Sequence, residues 1–313
     1  MSARLSVLVT DYLEIRRALG FQLKGPERTL AGFLAYLNEQ NTQSVTVEHA
    51  LAFATDPGLS TRSQALRLSA IRCFARWAMT MDPAIQVPPA NLLPARSSRA
   101  APFIYTPEQI SSLLQAAAAL TPAIRAASMG ILIGLMAATG MRTGETISLD
   151  ISHWDRQHHT LNVTGKYAKT RILPVHATVG QALSDYLDLR AKLLPAGGCP
   201  ALLIGVSGKR MRTTQAQQLF RGLVSDVGLA PVSNVCRPRL HDLRHTFAVN
   251  TMLDAYRGDQ NPAAVLPVLS TWLGHADPSD TYWYLSGTAE LLSAALTRLD
   301  HGEHAQCSQG DLS

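Results

Sequence analysis

Residues 138–145 read Ala-Thr-Gly-Met-Arg-Thr-Gly-Glu, and the fold turns on how this stretch is read. An apolar helical segment from about Pro122 to Ala138 leads into it and stops at Gly140, the residue type that most easily takes the left-handed turn closing a helix. A second, short helix is expected over about Thr143 to Leu149, just beyond Arg142. A helix end and a helix start thus meet around an arginine, offering backbone N–H groups and a guanidinium to one anion. An ordinary turn with a surface arginine is written in the same letters, so the flanking sequence has to decide.

Toward the C-terminus, His159–Thr164 and Arg171–Val175 alternate around Gly165-Lys166-Tyr167-Ala168-Lys169, which predicts a β-hairpin. Helical spacing resumes at about 177–193, 213–228, 241–256, 262–273 and 287–299, and the polar residues 301–313 read as a disordered tail. Toward the N-terminus, Thr106-Pro107-Glu108-Gln109 joins a capping threonine, a proline at the first helical position and a glutamine at the third. Residues 105–300 therefore read as a mainly α-helical α+β domain with a small β-sheet. Its 122–138 helix is apolar enough to be buried on most sides.

Five of the 17 prolines fall between residues 83 and 102, with Arg96 and Arg99 and no acid after Asp82. Residues 83–104 thus predict an extended, basic linker. Residues 1–82 read as a separate all-α domain with helices at about 3–18, 27–39, 46–55 and 61–80. The last is opened by a capping box, Thr61-x-x-Gln64, and places Ile71, Phe74 and Trp77/Ala78 on one face. Arg72 and Arg76, four apart, lie on another face, where a solvated surface is the plain reading.

Composition narrows the class. An apolar fraction of 46% with a net charge of +5 excludes a disordered chain. The longest apolar stretch, Met129–Met141, falls short of the roughly 20 residues that cross a bilayer. Asp11, Glu14, Arg16 and Arg17 interrupt the start as a secretory signal would not be interrupted, so a cytoplasmic protein is expected. Cys73, Cys199, Cys236 and Cys307 are scattered without a C-x-x-C pair, which predicts reduced thiols. Only five cations are lysines and 23 are arginines, whose planar fork suits phosphate; GC-rich coding produces the same skew.

Three further clusters carry chemistry. The hairpin tip holds Lys166 and Lys169, and a lysine there can reach a phosphate and give up a proton. His241-Asp242-Leu243-Arg244-His245 opens a helix with His241, Arg244 and His245 at spacings of three and four. The same spacing suggests an H-E-x-x-H zinc helix, but Asp242 is shorter than the glutamate used there as base, and Arg244 would set a cation on the metal face. Leu273-Gly274-His275 ends another helix, and Tyr284 follows nine residues after His275. Two arginines can neutralise the non-bridging oxygens of a phosphodiester without a metal or other cofactor. A tyrosine can then attack phosphorus and preserve the bond energy in a phosphotyrosyl link.

In order and spacing these motifs resemble the tyrosine recombinases, or phage-type integrases, across nearly the whole chain. The matching residues are Thr139-Gly140-x-Arg142 with Glu145, Gly165-Lys166 placed 24 residues after Arg142, the His-x-Leu-Arg-His box, Leu-Gly-His and Tyr284. The resemblance implies that Arg142, Arg244, His241 and His275 bind and activate the scissile phosphate. It makes Lys166 the general acid, Tyr284 the nucleophile of a 3′-phosphotyrosyl intermediate, and Glu145 a supporting residue. It also implies an N-terminal core-binding domain that completes a C-shaped clamp on double-stranded DNA, with Arg72, Arg76, Arg96, Arg99 and Lys169 as candidate DNA contacts. The expected assembly is a homotetramer, with or without sister recombinases, associated with the nucleoid. Its terminal helix, with Leu291, Leu292, Ala295 and Leu299 on one stripe, docks either on a neighbouring protomer or on its own.

The chain departs from the family pattern in a longer segment from Arg257 to Leu266, in Asp277-Pro278-Ser279-Asp280 after the histidine, and in a second phenol at Tyr282. On a helix two positions turn a side chain by roughly 200°, so Tyr282 and Tyr284 cannot both face one phosphate. The wording around Trp272 and Trp283 is similar to recombinases of bacterial transposable elements. A type IB topoisomerase and a non-catalytic DNA-binding protein of the same fold are the alternatives.

Overall fold

The computed structural model describes residues 3–42, 44–94, 101–165, 169–193, 198–258, 260–275, 281 and 290–298. The chain divides into two compact units, Met1–Arg99 and Ala100–Ser313.

The first unit is built from α1 (Ala3–Ala18), α2 (Lys24–Glu39), α3 (Val47–Ala54) and α4 (Thr61–Ala78). Apolar residues three and four apart, such as Leu30, Phe33 and Leu37 on α2 and Leu68, Ile71, Phe74 and Ala78 on α4, share one buried core. Tyr12 of α1 meets Phe74 edge-on at 5.7 Å. Two expectations change here. α2 starts at Lys24, ahead of 27, after Leu23 takes a left-handed φ of 49°. The cap of α4 is Ser60, whose hydroxyl accepts from the Ser63 N–H at 3.3 Å, so the Thr61-x-x-Gln64 box does not form. Gln64 instead donates to the Asp56 carbonyl at 3.0 Å.

Parts of the expected linker are packed. Ile85 is buried in the core of the first unit with Val87 and Leu93 against it, and the Gln86 N–H donates to the Val45 carbonyl at 2.9 Å. Arg72, a candidate DNA contact, is half-buried and donates from Nε to the Pro88 carbonyl at 2.9 Å, whereas Arg76 is exposed. Phe103 is buried in the core of the second unit, and Arg96 and Arg99 lie outside the described residues.

The second unit runs α5 (Pro107–Ala118), α6 (Ala123–Thr139), α7 (Thr143–Ser148), a 3₁₀ turn, then β1 (Trp154–Asp155), β2 (Thr160–Thr164) and β3 (Thr170–Pro174). α8 (Ala177–Leu193), α9 (Thr213–Asp226), α10 (Asp242–Arg257), α11 (Pro262–Leu273) and the helical residues 290–298, here α12, complete it. The capping box of α5 forms as read: Thr106 Oγ1 accepts from the Gln109 N–H at 3.2 Å and Gln109 Oε1 from the Thr106 N–H at 3.0 Å. The hairpin gains β1 as a third antiparallel strand, in the order β1-β2-β3. Its ladder extends from Thr160↔Pro174 to Thr164↔Thr170, turning Leu161, Val163 and Leu173 into the core.

α6 is the centre of that core, burying Met129, Leu132, Ile133, Leu135 and Met136, each worth about 1.5–3 kcal/mol on full burial. A smaller cluster joins α10, α11 and α12. Within α12, Leu291 is buried but Leu292 is 57% exposed, which corrects the expected stripe. Arg298 fastens α12 to its own unit, donating to the carbonyls of Ala255 at 3.0 Å and Gly258 at 3.1 Å where α10 ends. Among the described residues, no helix is long and apolar enough to cross a membrane.

Candidate active site

Two glycine-closed helix ends build the site. α6 ends at Gly140 (φ 64°) and α11 at Gly274 (φ 67°), both left-handed. Each turn sends a carbonyl to an arginine from elsewhere: Gly140 O accepts from Arg244 Nη1 at 2.8 Å, and Gly274 O from Arg142 Nη2 at 3.1 Å. Neither glycine leaves room for a side chain. A β-carbon on Gly140 would stand 2.5 Å from Phe247, and one on Gly274 would stand 2.8 Å from Arg171 Nη1. Trp272 adds a brace, donating its indole N–H to the Thr139 carbonyl at 2.8 Å. The junction at 138–145 is thus no surface turn, because helix ends distant in sequence lock together through it.

Arg244, in the first turn of α10, is 1% exposed. Its Nη2 donates to the Leu273 carbonyl at 2.9 Å and lies 2.8 Å from His275 Nε2. A guanidinium can only donate, so His275 Nε2 is the acceptor and its proton sits on Nδ1. That proton is directed at Thr281 Oγ1, 2.7 Å away and fully buried. His275 is thus held with Nε2 against Arg244 and Nδ1 against Thr281.

Glu145 is 7% exposed and ties two further arginines together. Its Oε1 accepts from Arg142 Nη1 at 2.7 Å, and its Oε2 from the Arg142 N–H at 3.1 Å and Arg171 Nη2 at 2.8 Å. Burial alone would raise its pKa, but the bonds from Arg171 and Arg142 outweigh that, and the carboxyl is held below its ordinary value. Arg142 remains the open member of the group, with 28% of its side chain exposed. Its exposure and its positive charge suit an incoming anion.

Arg171 is the residue the sequence reading missed. By local pattern it is only the first residue of an alternating strand, and the one local hint is a charged residue on β3 close behind Lys166. Its acceptor carboxylate lies 26 residues away, beyond any local pattern.

His241 is exposed at the N-cap of α10, and its ring meets that of His245 edge-on at 5.1 Å. Desolvation of the ring against the protein, followed by the nearby charges of Arg244, Arg239 and Arg142, lowers the His241 pKa to about 4, so the ring is neutral at pH 7. Burial likewise lowers that of His245 to about 3. Asp242 is fully buried and holds Arg239 in a fork, at 2.8 Å to Nη2 and 3.0 Å to Nε. The one acid of the box is thus committed to an arginine. Among the described residues, no group of three or more His, Cys, Asp or Glu is placed to hold a metal.

The structure brings Arg142, Glu145, His241, Arg244 and His275 together. Lys169 is exposed, with its carbonyl accepting the Gly165 N–H at 2.8 Å. Lys166, Tyr282 and Tyr284 lie outside the described residues.

Residues 104–290 match the phage integrase family. The chain is 38% identical over 300 residues to y4rB of Sinorhizobium fredii, named as an integrase/recombinase, covering 93% of this chain and 96% of that one. It is 28% identical over 285 residues to the tyrosine recombinase XerC of Herpetosiphon aurantiacus, covering 87% of each. Among solved structures, the XerA recombinase aligns over 94% of this chain and 97% of its own, with a TM-score of 0.52 and 25% identity. The Tn1549 transposon integrase shares the fold, with a TM-score of 0.64 and 18% identity over 94% of this chain and 99% of its own. With the arginine pocket and the family match in agreement, the chain belongs to the phage integrase family and is a site-specific tyrosine recombinase.

Proposed function

We propose that this recombinase cuts and rejoins DNA at the ends of a mobile genetic element, forming a 3′-phosphotyrosyl intermediate. The observation that carries the reading is the cross-bracing of Arg142 and Arg244 through the Gly274 and Gly140 carbonyls. It holds two guanidiniums rigid before substrate arrives, which is what preorganised stabilisation of a pentavalent phosphorus requires. In the reaction the Tyr284 oxygen attacks phosphorus, the bond to the 5′-oxygen breaks, and Lys166 supplies the proton that the 5′-oxygen takes up. His241, neutral at pH 7, accepts the phenolic proton. His275 acts beside Arg244, and Glu145 fixes the Arg142 guanidinium. Attack by the 5′-hydroxyl of another strand reverses each step.

Support for a DNA substrate and an assembly comes from structural neighbours: the Tn1549 integrase is in complex with a circular intermediate DNA, and a lambda integrase tetramer is bound to a Holliday junction. We extend both to this chain as a homotetramer on two duplex sites, working in the cytoplasm on the nucleoid, with or without sister recombinases. Residues 1–82 act as a core-binding domain, with Arg76, Arg96, Arg99 and Lys169 among the phosphate contacts. The test is a nicked duplex carrying the site that the chain selects from random DNA, followed by denaturing electrophoresis in EDTA. A covalent adduct that persists in Tyr282→Phe and vanishes in Tyr284→Phe is expected. The opposite pattern moves the nucleophile, and no adduct from the unmodified chain overturns the reaction.

A further inference from the structure

We infer that Arg171 is a positioning residue that sets the lysine hairpin and the Arg142 guanidinium in one frame, by joining β3 to Glu145 and to the end of α11. This rests on the reaction proposed above. Each nitrogen of its guanidinium is bonded within the protein. Nε donates to the Trp272 carbonyl at 2.8 Å, Nη2 to Glu145 Oε2 at 2.8 Å, and Nη1 to Glu145 Oε1 at 3.4 Å. A side chain so committed, and 14% exposed, orients other groups and does not itself clasp the substrate.

Three structural links meet at this arginine. Glu145 passes its position to Arg142 through the 2.7 Å contact. The Trp272 carbonyl passes it to the turn that carries Gly274 and His275, where the guanidinium packs against the Gly274 backbone and no β-carbon would fit. On the hairpin side, Arg171 pairs with Val163, one step inside the last ladder pair, Thr164↔Thr170. Gly165, the neighbour of Lys166, faces the same pair of groups: a β-carbon there would lie 3.4 Å from Glu145 Oε1 and 3.6 Å from Arg171 Nη1. Arg171 and Glu145 therefore form the floor on which the residue preceding the lysine rests. A proton donor on a hairpin tip needs such a floor, because misplacement by about 1 Å costs on the order of 100-fold in rate.

The test compares Arg171→Ala, Arg171→Lys and Lys166→Ala on two nicked duplexes of the selected site, one with the natural 5′-bridging oxygen and one with 5′-bridging sulfur. A thiolate leaves without a proton, so the sulfur probe bypasses the general acid. Arg171→Ala is expected to slow oxygen cleavage by about 100-fold and sulfur cleavage much less, so the oxygen-to-sulfur rate ratio falls at least about tenfold. Arg171→Lys, which cannot reach Glu145 and the Trp272 carbonyl together, falls between. The ratio is insensitive to partial unfolding, since a smaller folded fraction lowers both rates equally. An unchanged ratio in Arg171→Ala overturns the proposal and leaves the reaction standing. Failure of sulfur to rescue Lys166→Ala overturns the acid role of Lys166, and the positioning role with it.

Discussion

Replacing Glu145 by glutamine removes one negative charge from between two guanidiniums and changes almost nothing in shape. The carboxylate is 7% exposed and accepts at 2.7, 2.8, 3.1 and 3.4 Å from Arg142 and Arg171. An amide keeps one acceptor oxygen and turns an NH₂ toward the other donors, so two contacts become donor against donor whichever way it flips. Charge-assisted hydrogen bonds contribute about 1.5–3 kcal/mol each, and removing one partner of a buried pair costs about 3–5 kcal/mol. Arg142 is 28% exposed, so solvent screens its share, and the expected loss is about 3 kcal/mol. For a unit of this size that lowers Tm by about 6–12 °C. Thermal and urea unfolding of the full chain measure it, with the exposed Asp188→Asn as control, expected to stay within about 0.5 kcal/mol. The Glu145 carboxyl has a lowered pKa, so its contribution is present above the unfolded value and is lost as pH falls through the folded one. The gap between the unmodified chain and Glu145→Gln therefore narrows in acid. A Tm within 2 °C of the unmodified chain at pH 7 would refute the claim that this carboxylate holds the two arginines.

Two other outcomes follow from the site. His241 and His245 have folded pKa values of about 4 and about 3 against an ordinary 6.5, so between those limits the unfolded chain binds more protons. Stability then rises with pH across that window and is lost as pH falls from about 6.5 toward 4; a urea midpoint as steep in pH for His245→Gln as for the unmodified chain would contradict this. Gly140→Ala and Gly274→Ala each set a β-carbon in a left-handed turn, at 2.5 Å from Phe247 and 2.8 Å from Arg171, and are expected to cost at least about 1–2 kcal/mol. Gly144→Ala in α7 meets nothing within 4 Å and is expected to be neutral or stabilising by up to about 1 kcal/mol, so equal losses at all three glycines would count against the packing account.

What could be read from the sequence was local. Thr106 and Gln109 cap α5 because both partners lie within one turn, and Gly140 and Gly274 end their helices because only the residue type matters there. The hairpin followed from strict alternation, and its ladder pairs in that register. Where two neighbouring residues could serve equally, local rules failed. Ser60 caps α4 in place of Thr61, and Gln64 donates to the Asp56 carbonyl. Nothing in the proline-rich run 83–104 foretold that Ile85 and Phe103 enter cores.

By itself, then, the sequence determined the helix starts and stops, the hairpin, and which residue types stand in the family's motif positions, since each depends on spacing of a few residues. Tertiary structure decided what those residues are bonded to. Arg244 meets Gly140 across 104 residues, Arg142 meets Gly274 across 132, and Arg171 meets Trp272 across 101. A buried guanidinium must find acceptors for its donors wherever the fold supplies them, and here they are the open carbonyls at helix ends that only packing brings near.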